Sequence, residues 1–189
     1  MRGYFGIGIE NGKTEMNLGT LWRSAHIFGA SFIFTIGRRY KYQSSDVKKS
    51  WRSVPLFNFQ AMADLKIHLP LGCQLVGIEM ITNAEDIEGF GHPERACYLL
   101  GCEDSGLSKA AMESCHRLVR IPGNDCLNVA VAGSIVLYDR FKQWKTSGKN
   151  IDLPSWGKEL RVRLPKGRGL IGNMNKSTNI VRWICSGCH

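Results

Sequence analysis

Three stretches of the chain share one form, a strand, then a polar loop containing glycine or asparagine, then a helix: Asn17 to Ala30, Leu99 to Ser108 and Leu118 to Asp139. Such loops offer unpaired main-chain N–H and C=O groups beside a helix N-terminus, where a small polar ligand can be read by hydrogen bonds. Five side chains within them have chemistry to offer: Asn17, Arg23, Glu103, Cys126 and Asn128. A guanidinium is charged at any ordinary pH, so Arg23 suits phosphate binding and the stabilisation of a developing alkoxide. It suits proton abstraction poorly. Asn17 can fix its loop or reach a substrate, and Asn128 can bridge a ligand and the backbone or cap the helix that follows. A further segment from Gly37 to Arg52 sets Arg38, Arg39, Lys41, Lys48, Lys49 and Arg52 among Tyr40, Tyr42 and Trp51. Cations interleaved with aromatics fit phosphate neutralisation and base stacking on RNA.

The elements that must position these residues can be read in order. Tyr4 to Ile9 alternates as a strand and ends at the turn Asn11-Gly12. Glu15 to Gly19 reads as a loop, Thr20 to Phe28 as a helix stopped by Gly29, and Ser31 to Ile36 as a strand. Met62 to His68 is a short helix and Gln74 to Met80 a strand that enters the polar turn Thr82 to Asp86. Ala96 to Leu100 is a strand, Ser108 to Cys115 a helix capped by Ser108, Leu118 to Ile121 a strand and Leu127 to Trp144 a helix. Strands alternating with helices predict an α/β fold with a mostly parallel sheet covered on both faces.

The 189 residues are 43% hydrophobic, enough for one core, with a domain over residues 1–146 and a Gly- and Pro-containing basic extension over 147–189. Lysine and arginine exceed aspartate and glutamate by 25 − 16, or +9, which points to a polyanionic partner, most often nucleic acid; with the basic and aromatic segment above, RNA is expected and DNA is not. Seven cysteines, an odd number scattered through strands and helices, read as reduced thiols of a cytoplasmic protein. No apolar run approaches the roughly 20 residues that span a bilayer, and the first residues lack a signal-peptide core, so no membrane association is expected. The terminal Cys185-Ser186-Gly187-Cys188-His189 lacks the second knuckle of a zinc site, and no metal is expected.

Asn17-Leu18-Gly19-Thr20-Leu21-Trp22-Arg23-Ser24-Ala25, Leu100 through Ser108, and Ile121-Pro122 through Ala132 together resemble the three ordered motifs of the SpoU/TrmH family of RNA ribose 2'-O-methyltransferases, part of the SPOUT superfamily. The resemblance spans roughly residues 4–144. It implies an α/β sheet whose C-terminal part is threaded into a deep trefoil knot, an exception to ordinary topology. It implies S-adenosylmethionine as cofactor, held mainly by backbone groups of Ile78, Glu79, Gly101, Ile121, Cys126 and Leu127, with Ile121 and Leu127 flanking the adenine. Arg23 is placed at the reacting ribose and, with Arg38, Arg39 and Lys41, on the RNA. Glu103 orients Arg23 or the loop, or faces the helix N-terminus after it. The family usually has serine where this chain has Cys126, a larger and weaker hydrogen-bonding group. A homodimer through the first-motif helix and the last helix is also implied.

The expected activity is thus methylation of a ribose 2'-hydroxyl in tRNA, ahead of rRNA. The alternative is a catalytically silent RNA-binding protein on the same fold, which Cys126 favours and Asn17, Arg23, Glu103 and Asn128 oppose. A methyltransferase for a base or a protein fits the second and third motifs less well.

Overall fold

The computed structural model describes residues 4–40 and 52–147. Lys41, most of the basic segment after it, and the extension beyond Ser147 with its Cys185, Cys188 and His189 lie outside the described residues.

Strand β1 (Tyr4–Glu10) leads through Asn11-Gly12 into helix α1 (Glu15–Phe28), then β2 (Phe32–Ile36), β3 (Leu56–Phe59), α2 (Met62–His68), β4 (Gln74–Ile78), β5 (Glu85–Asp86), β6 (Arg95–Leu100), α3 (Lys109–Ser114), β7 (Arg117–Arg120) and α4 (Val129–Thr146). The seven strands form one sheet in the order β3-β2-β1-β6-β4-β7-β5, every pair parallel. Because β7 lies between β4 and β5, residues 79–84 join two strands on either side of it.

Both faces of the sheet are buried. On one, Leu18, Leu21, Trp22 and Ala25 of α1 and Val136 and Leu137 of α4 pack on Ile7, Ile9, Ile33, Val76 and Tyr98. On the other, Leu65 of α2 and Ala111 of α3 pack on Phe34, Leu75, Cys97 and Leu99. The alternation of the strands and the 3.6-residue spacing of the helices produce this division. Gly29 ends α1 in the left-handed region at φ 79°, and Ser108 caps α3 by accepting from the Ala111 N–H at 3.1 Å.

Three readings change. Helix α1 begins at Glu15, so the expected loop Glu15 to Gly19 is its first turn, with Leu18 and Gly19 buried; a helical glycine has low propensity and hid this turn. Strand β3 follows Pro55 as a half-exposed edge too short to show periodicity. The turn expected at Thr82 to Asp86 ends in β5, whose two residues are held by Arg117 to Glu85 at 2.5 Å and Arg120 to Asp86 at 2.6 Å.

A polar cluster fastens α4 to the loop before β6. Arg140 Nη1 donates to the Pro93 carbonyl at 2.6 Å and to the Tyr98 hydroxyl at 3.1 Å, while Nη2 donates to the Glu94 carbonyl at 2.9 Å. His92, its side chain fully buried, lies 2.6 Å from that hydroxyl through Nδ1 and 3.0 Å from Asp139 through Nε2. The neutral ring satisfies every partner: Tyr98 donates to Nδ1 and Nε2–H donates to Asp139. Burial pushes the His92 pKa below its ordinary value, and the bond to Asp139 opposes this only in part. The unfolded chain therefore takes up this proton first, beginning near pH 6.5, so the contribution present above that pH is lost as pH falls toward the folded value. Thermal melts should show stability falling from pH 7.5 to 5.5, with His92→Gln flattening that fall. Equal slopes in both chains would remove His92 as its source.

Candidate active site

The carboxyl ends of β4, β6 and β7 meet at a cavity of about 300 Å³. Ligands of open parallel sheets sit at this end, where loops and helix N-termini leave main-chain groups unpaired. Ile78, Glu79, Gly101, Ile121, Cys126 and Leu127, the residues assigned above to cofactor contact, all line it.

The loop after β6 is closed by paired Cys102 and Gly106 main chains, each N–H donating to the other's carbonyl at 3.1 Å. Gly106 has φ 65°, a conformation that favours glycine. Gly101 runs so close beneath that a Cβ there would lie 2.1 Å from the Gly106 carbonyl carbon and 2.2 Å from the Leu107 nitrogen. The Glu79 carboxylate accepts from the Leu107 N–H at 2.6 Å and the Met80 N–H at 3.1 Å. Its side chain thus clips two cavity walls together, a role beyond the backbone contact expected of it.

Glu103, Asn17 and Asn128 form a chain of hydrogen bonds. Glu103 accepts from the Asn17 amide, from the Lys13 N–H at 3.2 Å and from the Thr14 hydroxyl at 3.3 Å. Asn17 Oδ1 accepts from Asn128 Nδ2 at 3.1 Å, and Asn128 Oδ1 caps α4 by accepting from the Ala130 and Val131 N–H groups at 2.9 and 3.4 Å. Partial burial of Glu103 works against its charge, but these donors outweigh it and hold its pKa below the usual carboxylate range. Of the alternatives open for Glu103, the geometry selects the loop: it ties the second motif to the entry of α1 and does not touch Arg23.

Arg23 is exposed on α1, outside the cavity lining, and makes no hydrogen bond or ion pair to another described residue. Arg38 lies 5.6 Å from the Tyr40 ring centre. Arg39, expected on RNA, is instead bound through both terminal nitrogens to Asp104. Cys126 is exposed, its sulfur 3.9 Å from that of Met80, with no acid or base bonded to the thiol among the described residues.

Two carboxylates were not singled out from the sequence. Glu10 is buried at the end of β1 and accepts from the Ser108 N–H at 2.8 Å and hydroxyl at 2.7 Å, holding the cap of α3. Asp104 stands at the loop tip. A carboxylate closing an apolar strand was the available signal for Glu10. The charged residues lining the cavity are Glu79, Glu103, Asp104 and Asp125, all acidic in a chain of net charge +9.

The profile of the SpoU rRNA Methylase family matches residues 5–138. The chain belongs to this family. A relative, an uncharacterised tRNA/rRNA methyltransferase of Archaeoglobus fulgidus, is 30% identical over 149 residues, 75% of this chain and 66% of the relative. The tRNA (guanosine(18)-2'-O)-methyltransferase of Escherichia coli K12 is 25% identical over 146 residues, covering 74% and 64% of the two chains. The fold matches that of the SpoU methyltransferase AviRb from Streptomyces viridochromogenes, solved with AdoMet, at a TM-score of 0.71 and 22% identity over 77% of this chain and 60% of that one. This chain thus spans between 60% and 66% of the length of these three proteins. Among the described residues, no helix is long and apolar enough to cross a membrane.

Proposed function

We propose that the chain is an S-adenosylmethionine-dependent RNA methyltransferase acting on a ribose 2'-hydroxyl of tRNA, ahead of rRNA, in the cytoplasm. The observation that carries this reading is the cavity at the ends of β4, β6 and β7, part apolar and part polar in its walls and acidic in all its charged lining. A nucleotide phosphate would be repelled there, whereas a ligand carrying a sulfonium and an ammonium group is favoured. When bound, S-adenosylmethionine supplies an electrophilic methyl carbon. Ile121 and Leu127 offer apolar surface to an adenine, and the absence of a side chain at Gly101 lets the Gly106–Leu107 main chain close against the floor of the cavity. Main-chain groups at Ile78, Glu79, Gly101, Cys126 and Leu127 would hold its polar atoms. Asn17, Glu103 and Asn128 keep the first- and third-motif loops in register. Arg23 holds the RNA and lowers the cost of negative charge on the 2'-oxygen as its proton leaves.

The unit of activity in this reading is a homodimer. Met16, Thr20, Arg23 and Ile27 form one exposed stripe of α1, and Val131 and Tyr138 lie on α4 beside the Ser24 to Ser134 contact that joins the two helices. Exposed Met16, Ile27, Val131 and Tyr138 make an apolar face that a second copy would cover, carrying Arg23 toward the partner's cavity. Residues 1–146 form the methyltransferase domain, and 147–189 a basic extension that adds RNA contacts.

The test is transfer of labelled methyl from S-adenosylmethionine to RNA from cells lacking the protein, separated into tRNA and rRNA and digested to nucleosides. Label in a 2'-O-methylnucleoside is the expected result. Cofactor binding without transfer to any RNA would replace this reading by a silent RNA-binding protein. Cys126→Ser should keep or raise the transfer rate, since among the described residues the thiol is bonded only to the Met80 sulfur. A fall of more than about tenfold, beyond a lost weak hydrogen bond, would assign the thiol a specific task.

A further inference from the structure

Asp104 occupies the tip of the Cys102–Gly106 loop and lines the cavity. Its two oxygens accept separately from Arg39, Oδ1 from Nη2 at 2.7 Å and Oδ2 from Nη1 at 3.0 Å, while Arg39 Nε donates to the Asn11 carbonyl at 2.9 Å. All three guanidinium nitrogens are thus engaged, in the geometry that makes arginine–carboxylate pairs specific. The base from which Arg39 reaches is itself joined: the Asn11 N–H donates to the Ile36 carbonyl at 2.7 Å and the Arg39 N–H to the Gly12 carbonyl at 3.0 Å. These bonds zip the exit of β1 to the exit of β2. The same loop is held at its sides by Glu103 on residues 13–17 and by Glu79 on the Leu107 N–H. The contact at its tip is Arg39.

We propose that Arg39 and Asp104 form a positioning clasp that sets the tip of the Cys102–Gly106 loop over the cavity, so that cofactor affinity depends on a residue that does not line it. The inference rests on the cavity being the S-adenosylmethionine site. Each partner reinforces the other's charge: the guanidinium holds the Asp104 carboxyl well below the usual carboxylate range, and the carboxylate raises Arg39. The pair therefore stays ionised at any pH at which the fold is handled. Both side chains are partly exposed, 41% and 46%, so the pair acts on loop geometry more than on global stability.

The full-length protein tests this with Arg39→Gln, Asp104→Asn, the double variant and Arg39→Lys. Calorimetric titration with S-adenosylmethionine should give about tenfold weaker binding for each single change and no further loss in the double, the non-additivity of two groups that act as one. Arg39→Lys should recover only part, because an ammonium cannot fork. Amide exchange without cofactor should quicken at residues 103–106 in Arg39→Gln while the β1 and β6 amides keep wild-type rates. Additive losses, or loop exchange unchanged by Arg39→Gln, would overturn the clasp. A wild-type chain that takes up no S-adenosylmethionine would overturn the functional reading instead, and the exchange result would still judge the clasp.

Discussion

Arg23→Ala should leave S-adenosylmethionine affinity at the wild-type value and slow methyl transfer by about 100- to 1,000-fold, the usual effect of removing one charge stabiliser from a transition state. Arg23 is outside the cavity lining and bonded to no other described residue, so nothing that shapes the cavity is lost with it. Calorimetry with single-turnover transfer separates the two quantities, and weakened cofactor binding would overturn the role given to Arg23. Its place on the exposed stripe of α1 makes a second expectation. Inactive Arg23→Ala chains mixed with chains defective in the cavity should regain about one quarter of wild-type activity, since random pairing makes half the dimers mixed and each mixed dimer has one complete site. No recovery would place Arg23 and its cavity in the same chain.

Gly101→Ala supplies the cavity-defective partner and has the other large effect. The added methyl would lie 2.1 and 2.2 Å from main-chain atoms of Gly106 and Leu107, not from a flexible side-chain end. The loop must move, and with it Glu103, Asp104 and the Leu107 N–H that Glu79 holds. Overpacking of this kind costs about 1–3 kcal/mol, which leaves a folded chain, while cofactor binding should fall by more than about 100-fold. Thermal melts beside calorimetry check both. Near-normal cofactor affinity in Gly101→Ala would show that the 101–107 main chain does not form the binding surface.

The scaffold was legible wherever burial imposes a period. The strands at Phe32, Gln74 and Arg95, and the helices at Met62, Lys109 and Val129, begin within two residues of the positions read from the sequence. The caps Gly29, Ser108 and Asn128 were legible because cap chemistry is local. The first turn of α1 was hidden by Gly19, and β3 and β5 by shortness, since their pairing is set by strands far away in sequence. The six cavity residues were named through motif resemblance. What was not legible was the use made of side chains: Glu79 as a clip, Glu10 as the anchor of Ser108, Arg39 on Asp104 instead of open to phosphate. Each of these bonds joins loops at least 28 residues apart, and no local pattern announces a partner at that range.

The place of β7 between β4 and β5 also governs when the site comes into being. A chain made from its N-terminus has β1 through β6 before the residues that complete the cavity, and β7 must then insert between β4 and β5, pairing with both. Insertion of that kind is non-local in sequence, the feature that slows folding most. Until it happens, Ile121, Cys126 and Leu127 are absent from the cavity wall. A cofactor that binds only the completed cavity adds stability to chains with β7 in place and none to chains without it, so ligand binding and the placing of this one strand are linked.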